Sequence, residues 1–288
     1  MIQIISDSTC DLSQELITRY HISILPLHIL LGDKEYEDGR GLTCDEIYQW
    51  SNMSKLTPKT SAPSIEEAME LLLPPLLQGD DIICFSISAS MSTSVNVMRL
   101  AAEQLDSDYD LHALDKITII DSANLSTGVG LLVLAAAQMA QEHYDAAAIN
   151  AKIEELKPLV RASFVVDTLT FLHRGGRCSG LAAMAGGALH LHPRISVENG
   201  AMHPGKKYRG SIDKVIMTYA REMEEDLKKA RPDRVFITHS GCDQATIDAV
   251  HSYLESLQVF KEILVTRAGG VISSHCGPGT LGVLFIAQ

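Results

Sequence analysis

An alternation constrains this chain most. Short Ile-rich runs at residues 2–5, 22–31, 82–87 and 117–120 are bounded by Asp, Gly or Ser, and helix-forming stretches lie between them. Runs of that length and composition read as strands. Ser64 followed by Glu67 makes a capping box, and Ala68, Leu71, Leu72 and Leu76 then recur at roughly helical spacing. Residues 96–105 and 131–141 read as further helices. The alternation predicts an α/β protein with a mainly parallel sheet covered on both faces. Ligands of such sheets sit beyond the carboxyl ends of the strands, where this chain puts Asp7-Ser8-Thr9, residues 86–94 and Asp121-Ser122.

From about Ala162 the pattern changes. Phe164-Val165-Val166-Asp167 is a strand candidate, Gly175-Gly176-Arg177 breaks the helical segment after it, and Asn199-Gly200 between short apolar runs predicts a hairpin with a primed turn. An amphipathic stretch at 211–230, a strand at 235–238, a helix from about Asp243 and strands around Ile263 and Leu284 complete the reading. A hairpin makes the second sheet at least partly antiparallel. At 288 residues the chain is long for one core and comfortable for two. The expected division is at Lys157-Pro158, giving lobes 1–158 and 159–288.

Apolar residues are 46% of the chain but aromatics only 5%, so any pocket must be walled by Ala, Leu, Ile, Val and Met. Lys plus Arg number 24 against 36 Asp plus Glu, and the net charge of −12 disfavours nucleic acid and anionic membrane as partners. No apolar run approaches the ~20 residues that span a bilayer, so no transmembrane segment and at most transient membrane contact is expected. The start, Met1-Ile2-Gln3-Ile4-Ile5, lacks the basic opening of a signal peptide, and the chain is expected in the cytoplasm. Six scattered cysteines without a Cys-x-x-Cys pair read as free thiols.

Three expected loops are dense in hydroxyls or glycines: residues 60–64 (Thr-Ser-Ala-Pro-Ser), 86–94 and 273–280. Hydroxyls beside a helix N-terminus suit a small anion, and a carboxylate needs only three or four well-placed donors. Caps and turns account for the same residues equally well, and composition does not choose.

The ordered set of motifs resembles the DegV family of fatty-acid-binding proteins. It comprises Ser6-Asp7-Ser8-Thr9-Cys10-Asp11-Leu12, Ile24-Leu25-Pro26-Leu27, the 60–64 and 86–94 segments, and Asp121-Ser122 with Ser126-x-Gly128-x-Gly130. Gly175-Gly176-Arg177, Tyr208-Arg209-Gly210 and His275-x-Gly277-Pro278-Gly279-Thr280-Leu281-Gly282 follow in family order. The resemblance implies two lobes: an N-terminal Rossmann-like parallel sheet, and a C-terminal α/β lobe with a mixed or antiparallel sheet and an acyl-chain tunnel. It implies a long-chain fatty acid such as palmitate as ligand, no further cofactor, and a carrier that is not itself an enzyme. An ATP-dependent fatty acid kinase would phosphorylate the acyl carboxylate.

By motif, Thr60 and Ser92 would bond the carboxylate, Ser61 and the N–H of Thr93 would add donors, and His275 would lie near the head group. Arg209 would face the kinase, and Arg177 would sit near a partner or at the lobe interface. The sequence departs from the family at Thr93, where a glycine is usual. Residues 181–189, rich in Ala and Gly, could line the tunnel or form a close helix-packing surface.

Three rival readings are weaker. Ser274 or Cys276 with His275 would make a hydrolase, but adjacent residues seldom place nucleophile and base productively. His190 and His192, with His173 or His203, would make a metal site, but no carboxylate or thiol stands at matching spacing, and the segment reads as a helix end before Pro193. Residues 175–180 lack the Lys-Ser/Thr ending of a phosphate loop. A lipid or small-anion sensor or reservoir without a kinase is the alternative from another class.

Overall fold

The computed structural model describes residues 1–109, 111–178 and 191–288. In chain order the first part runs β1 (Ile2–Asp7), α1 (Gln14–Arg19), β2 (Ser23–Leu25), β3 (His28–Leu31), β4 (Lys34–Glu37), α2 (Cys44–Ser54), β5 (Lys59–Ser61), α3 (Ile65–Leu77), β6 (Asp81–Ser86), α4 (Ser94–Asp108), α5 (Ala113–Lys116) and β7 (Ile117–Asp121). Then come α6 (Thr127–Gln141), α7 (Ala146–Leu156), β8 (Val160–Val165), α8 (Thr170–Gly175), β9 (Leu191–Glu198), β10 (Ala201–Arg209), α9 (Ile212–Glu222), α10 (Glu224–Lys228), β11 (Ala230–His239), α11 (Gln244–Ser256), β12 (Glu262–Arg267), α12 (Gly270–Cys276) and β13 (Leu281–Ala287).

The expected parallel sheet is present, in the order β2-β1-β6-β7. Its strands are continuously apolar because both faces are covered. Ile4, Ile83 and Phe85 point into one core while their neighbours Ile5, Ile82 and Cys84 point into another. The second sheet, β10-β9-β8-β13-β11-β12, is mixed: β11 and β12 are parallel and the other pairs antiparallel. Helix α6 is apolar around its whole circumference, from Leu131 to Ala137. It is buried in a core that also takes Ile83 and Phe85 from the first sheet and Phe164, Phe236 and Leu284 from the second. The 158/159 position falls in the single turn joining α7 to β8.

Local signals are realised where expected. Ser64 and Glu67 close the capping box of α3. Asn199 (φ 50°) and Gly200 (φ 80°) both have the positive φ of a type I′ turn between β9 and β10.

Five expectations are corrected. Residues 22–31 are two strands, because Pro26 has no N–H to continue a ladder: β2 joins β1, whereas β3 pairs antiparallel with β4 and β5 in a separate three-stranded sheet. Thr60 and Ser61 therefore lie on a strand, not in a loop. Residues 273–276 belong to α12. His192 is in β9, its ring nitrogens 3.1 Å from the carbonyls of Val166 and Gly210, and is no helix end. The amphipathic stretch at 211–230 divides at Met223 into α9 and α10. Residues 181–189 lie outside the described residues.

Candidate functional site

The short sheet packs its apolar side, Leu27, Ile29 and Leu31, on Ile47 of α2 and Val271 of α12. This brings the strand carrying Thr60 against the helix carrying His275. Thr60 Oγ1 lies 2.7 Å from His275 Nε2, a contact between residues 215 positions apart. Beside the pair opens a cavity of about 410 Å³, within the ~300–1,000 Å³ typical of small-molecule sites.

Thr60, Ser61, Ser92, Thr93, His275 and Arg177 all line that cavity. The 86–94 segment contributes the backbone and side chains between β6 and α4, at the carboxyl end of the parallel sheet. Ser92 Oγ is 2.8 Å from Ser94 Oγ and accepts from the Ser94 N–H, so Ser94 can supply both contacts and leave the Ser92 hydrogen for a ligand. Thr93 holds the N-cap position of α4 with φ −87° and makes no side-chain cap bond. That φ is ordinary for any L-residue, so the backbone there does not need a glycine.

His275 is neutral. Burial, and then the charge of Arg177, push its pKa down to about 4. Among the described residues its Nδ1 is buried without a partner, and it presses on Gly175, where a Cβ would stand only 2.5 Å away. Gly175 gives room to the imidazole, Gly176 ends α8 at φ 67°, and Arg177 turns back to donate to the Gly175 carbonyl at 2.7 Å. Packing of α8 on α12 thus puts Arg177 in the cavity wall. The sequence alone places it near a partner or at the lobe interface. Among the described residues Arg177 has no carboxylate partner, and no Asp or Glu lines the cavity in a chain of net charge −12.

The rest of the wall is apolar: Leu27, Ile87, Met91, Leu125, Met202 and Ile272. Leu125, Ile272 and Cys276 are shared with a further pocket of about 30 Å³, which reaches Phe164 and Leu284 between the sheets. A larger depression of about 600 Å³ lies elsewhere, with Lys157, Arg161 and Arg194 facing Glu154, Glu198 and Asp226. Its balanced charges offer an anion less than the acid-free cavity does.

Arg209 is exposed at the end of the edge strand β10 and does not line the cavity. It stands seven residues beyond Met202, roughly 20 Å along the strand. Ser274 donates to the Gly270 carbonyl inside α12, and burial pushes the Cys276 thiol up to about 12. His275 bonds to Thr60 and to neither of them. Among the described residues no cluster of three or more His, Cys, Asp or Glu is placed to hold a metal ion.

Sequence reasoning missed a set of buried acids. Desolvation raises the pKa of Asp7 to about 6 and that of Asp11 to about 8, and raises Asp38 as well. A folded-state pKa above the unfolded value means that the folded chain holds the proton more tightly. The stabilisation is complete below the unfolded pKa of 3.8 and is lost as pH rises through about 6 and about 8. His275 acts oppositely: its contribution is present above 6.5 and is lost as pH falls towards about 4. The urea midpoint is therefore expected to fall between about pH 6 and about pH 9, and Asp11→Asn to flatten that fall. A midpoint that rises over this range would contradict the assignment.

Comparison with known proteins agrees with this architecture. A family model described as an uncharacterised protein of the DegV family matches residues 1–288. A DegV domain-containing protein of Clostridium perfringens is 31% identical over 99% of this chain and 97% of its own length. A solved structure described as fatty acid binding of a DegV family protein from Thermus thermophilus superposes with a TM-score of 0.87 at 30% identity, covering 100% of this chain and 99% of that one. A structure from Eubacterium ventriosum, described as a stearic acid-binding protein, gives 0.86 at 28% identity, covering 100% and 98%.

Proposed function

The chain belongs to the DegV family, and on that premise we propose that it binds one long-chain fatty acid, with the carboxylate in the 410 Å³ cavity and the acyl chain running between the sheets. The observation that carries this is the cavity itself. Hydroxyls of Thr60, Ser61, Ser92 and Thr93, neutral His275 and the Arg177 guanidinium surround a space with no acid in its described wall, and apolar side chains lead inward from it. An anionic head on an apolar tail fits that division. Head-group donors come from residues 1–158 and His275 from 159–288, so the ligand bridges the proposed lobes.

Thr60 and Ser92 bond the carboxylate, Ser61 and the Thr93 N–H add donors, and His275 orients Thr60. Arg177 supplies the attracting charge. Relatives described as binding fatty acids support the reading. The test is extraction of purified protein and mass spectrometry of the lipid it carries.

The further step in this proposal is presentation of the carboxylate to an ATP-dependent fatty acid kinase in the cytoplasm, the chain itself acting as carrier. Scattered cysteines without a Cys-x-x-Cys pair suit a reducing compartment, and no helix of the described residues is long and apolar enough to cross a membrane. Arg209, on an exposed edge strand away from the cavity, is the residue assigned to the kinase. Arg209→Ala should leave palmitate affinity unchanged and slow acyl phosphate formation with the cognate kinase. Undiminished turnover would remove Arg209 from that role.

A further inference from the structure

Among the described residues the first motif of the chain, Ser6 to Leu12, does not line the cavity, yet it buries two carboxylates, and a third, Asp38, is buried beside them. Asp7, Asp11 and Asp38 are 0%, 6% and 5% exposed. Burying like charges together is unfavourable unless each is well bonded, and here every carboxylate is. Asp7 Oδ1 accepts from the N–H and hydroxyl of Thr9, and its Oδ2 accepts from the Ile87 N–H at 2.8 Å, where the 86–94 segment leaves β6. Asp11 Oδ1 accepts from the Gly269 N–H at 2.8 Å and its Oδ2 from the Ser126 hydroxyl at 2.5 Å, one residue from Leu125 in the cavity wall. Asp38 Oδ1 accepts from the Gly270 N–H at 2.8 Å, and its Oδ2 from the Ser8 hydroxyl, which also accepts from the Leu27 N–H.

Between them these bonds reach three walls of the site: the start of the 86–94 segment, the start of α6 and the start of α12. Asp38 follows β4 directly, and its own N–H donates to the Leu27 carbonyl, so it belongs to the short sheet whose outer strand carries Thr60. The Gly270 bond therefore joins the Thr60 sheet to the helix of His275. The contact leaves no room for a side chain: a Cβ on Gly270 would stand 2.4 Å from Ile29 Cδ1 and 3.0 Å from Asp38 Oδ1. A Cβ on Gly269 would lie between Asp11 and Asp38, at 3.1 and 3.3 Å from their oxygens. Glycines at the start of α12 allow two carboxylates to grip its first two N–H groups.

We propose that Asp7, Asp11 and Asp38 are positioning residues of the head-group site: from one buried cluster they fix the Ser92 loop, the start of α6 and the first turn of α12, and so set His275 against Thr60. Only the binding readout rests on the fatty-acid reading of the cavity. The geometric readout is the ¹⁵N resonance pair of His275, recorded in lipid-free protein, which reports the hydrogen bond to Thr60.

Asp11→Ala and Asp38→Ala are expected to shift that resonance pair and to weaken palmitate binding on the order of tenfold. Asp11→Asn and Asp38→Asn keep an oxygen for the glycine N–H and should recover most of both. If the alanine variants do not fold, Ser8→Ala and Ser126→Ala remove one donor from Asp38 and Asp11 respectively and should shift the same resonances. Unshifted His275 signals in the folded alanine variants, or in both serine variants where the alanine variants do not fold, overturn the proposal. Wild-type protein that takes up no palmitate would defeat the fatty-acid reading instead, and the lipid-free His275 signals would still decide this one.

Discussion

Removing the hydroxyls of Thr60 and Ser92 together is expected to weaken palmitate binding by about 100-fold while leaving the protein folded. A hydrogen bond to a charged group contributes about 1.5–3 kcal/mol, so losing two, with some compensation by water, amounts to about 3 kcal/mol. Thr60→Ala has a second effect, because it also removes the partner of His275 Nε2 beside an Nδ1 that has none among the described residues. The single Thr60→Ala variant should accordingly lose more affinity than Ser92→Ala, whose neighbour Ser94 lies 2.8 Å away and offers a replacement hydroxyl. Calorimetric titration of both single variants and the double variant checks the order. Equal, near-wild-type affinities would take both hydroxyls out of the site.

A second large effect needs no mutation. With the acyl chain enclosed by Met91, Leu125, Met202 and Ile272, each added methylene leaves water at about 0.8 kcal/mol. Laurate has four fewer than palmitate and should bind about 3 kcal/mol more weakly, on the order of 100-fold. The slope holds only while the chain still has apolar wall to meet, and the 30 Å³ pocket behind Ile272 and Cys276 is where added length would next go. Equal affinity for the two acids would mean that only the head group is held, and would favour a small-anion site over a lipid carrier.

Much of the fold was legible because its signals are local. The Ile-rich strands, the Ser64 capping box and the Asn199-Gly200 turn each depend on a few adjacent residues, and their spacing implied the parallel sheet. The short sheet β4-β3-β5 was not legible. Its strands are three or four residues long, and what separates β3 from β2 is one proline inside an apolar run. That sheet carries Thr60, so the same failure placed a site residue on a loop. Nor could periodicity bring Thr60 to His275 across the whole chain; family motifs supplied only the expectation that both lie near one head group.

Arg177 and the three acids were harder still. An exposed-looking Gly-Gly-Arg gives no sign that α8 will lean on α12 and turn the guanidinium into the cavity. Asp7 and Asp11 stand in a polar segment after a strand, where a ligand-facing position is expected, and nothing local says that the fold will bury them. Buried polar clusters of this kind depend on tertiary contacts, which leave no period in the sequence.

The most direct measurement is the lipid content of the native protein. Protein purified without added lipid, then denatured, extracted and analysed by mass spectrometry, should release close to one long-chain fatty acid per chain. Protein that is repeatedly empty, and that also fails to take up palmitate when it is offered, would contradict the account.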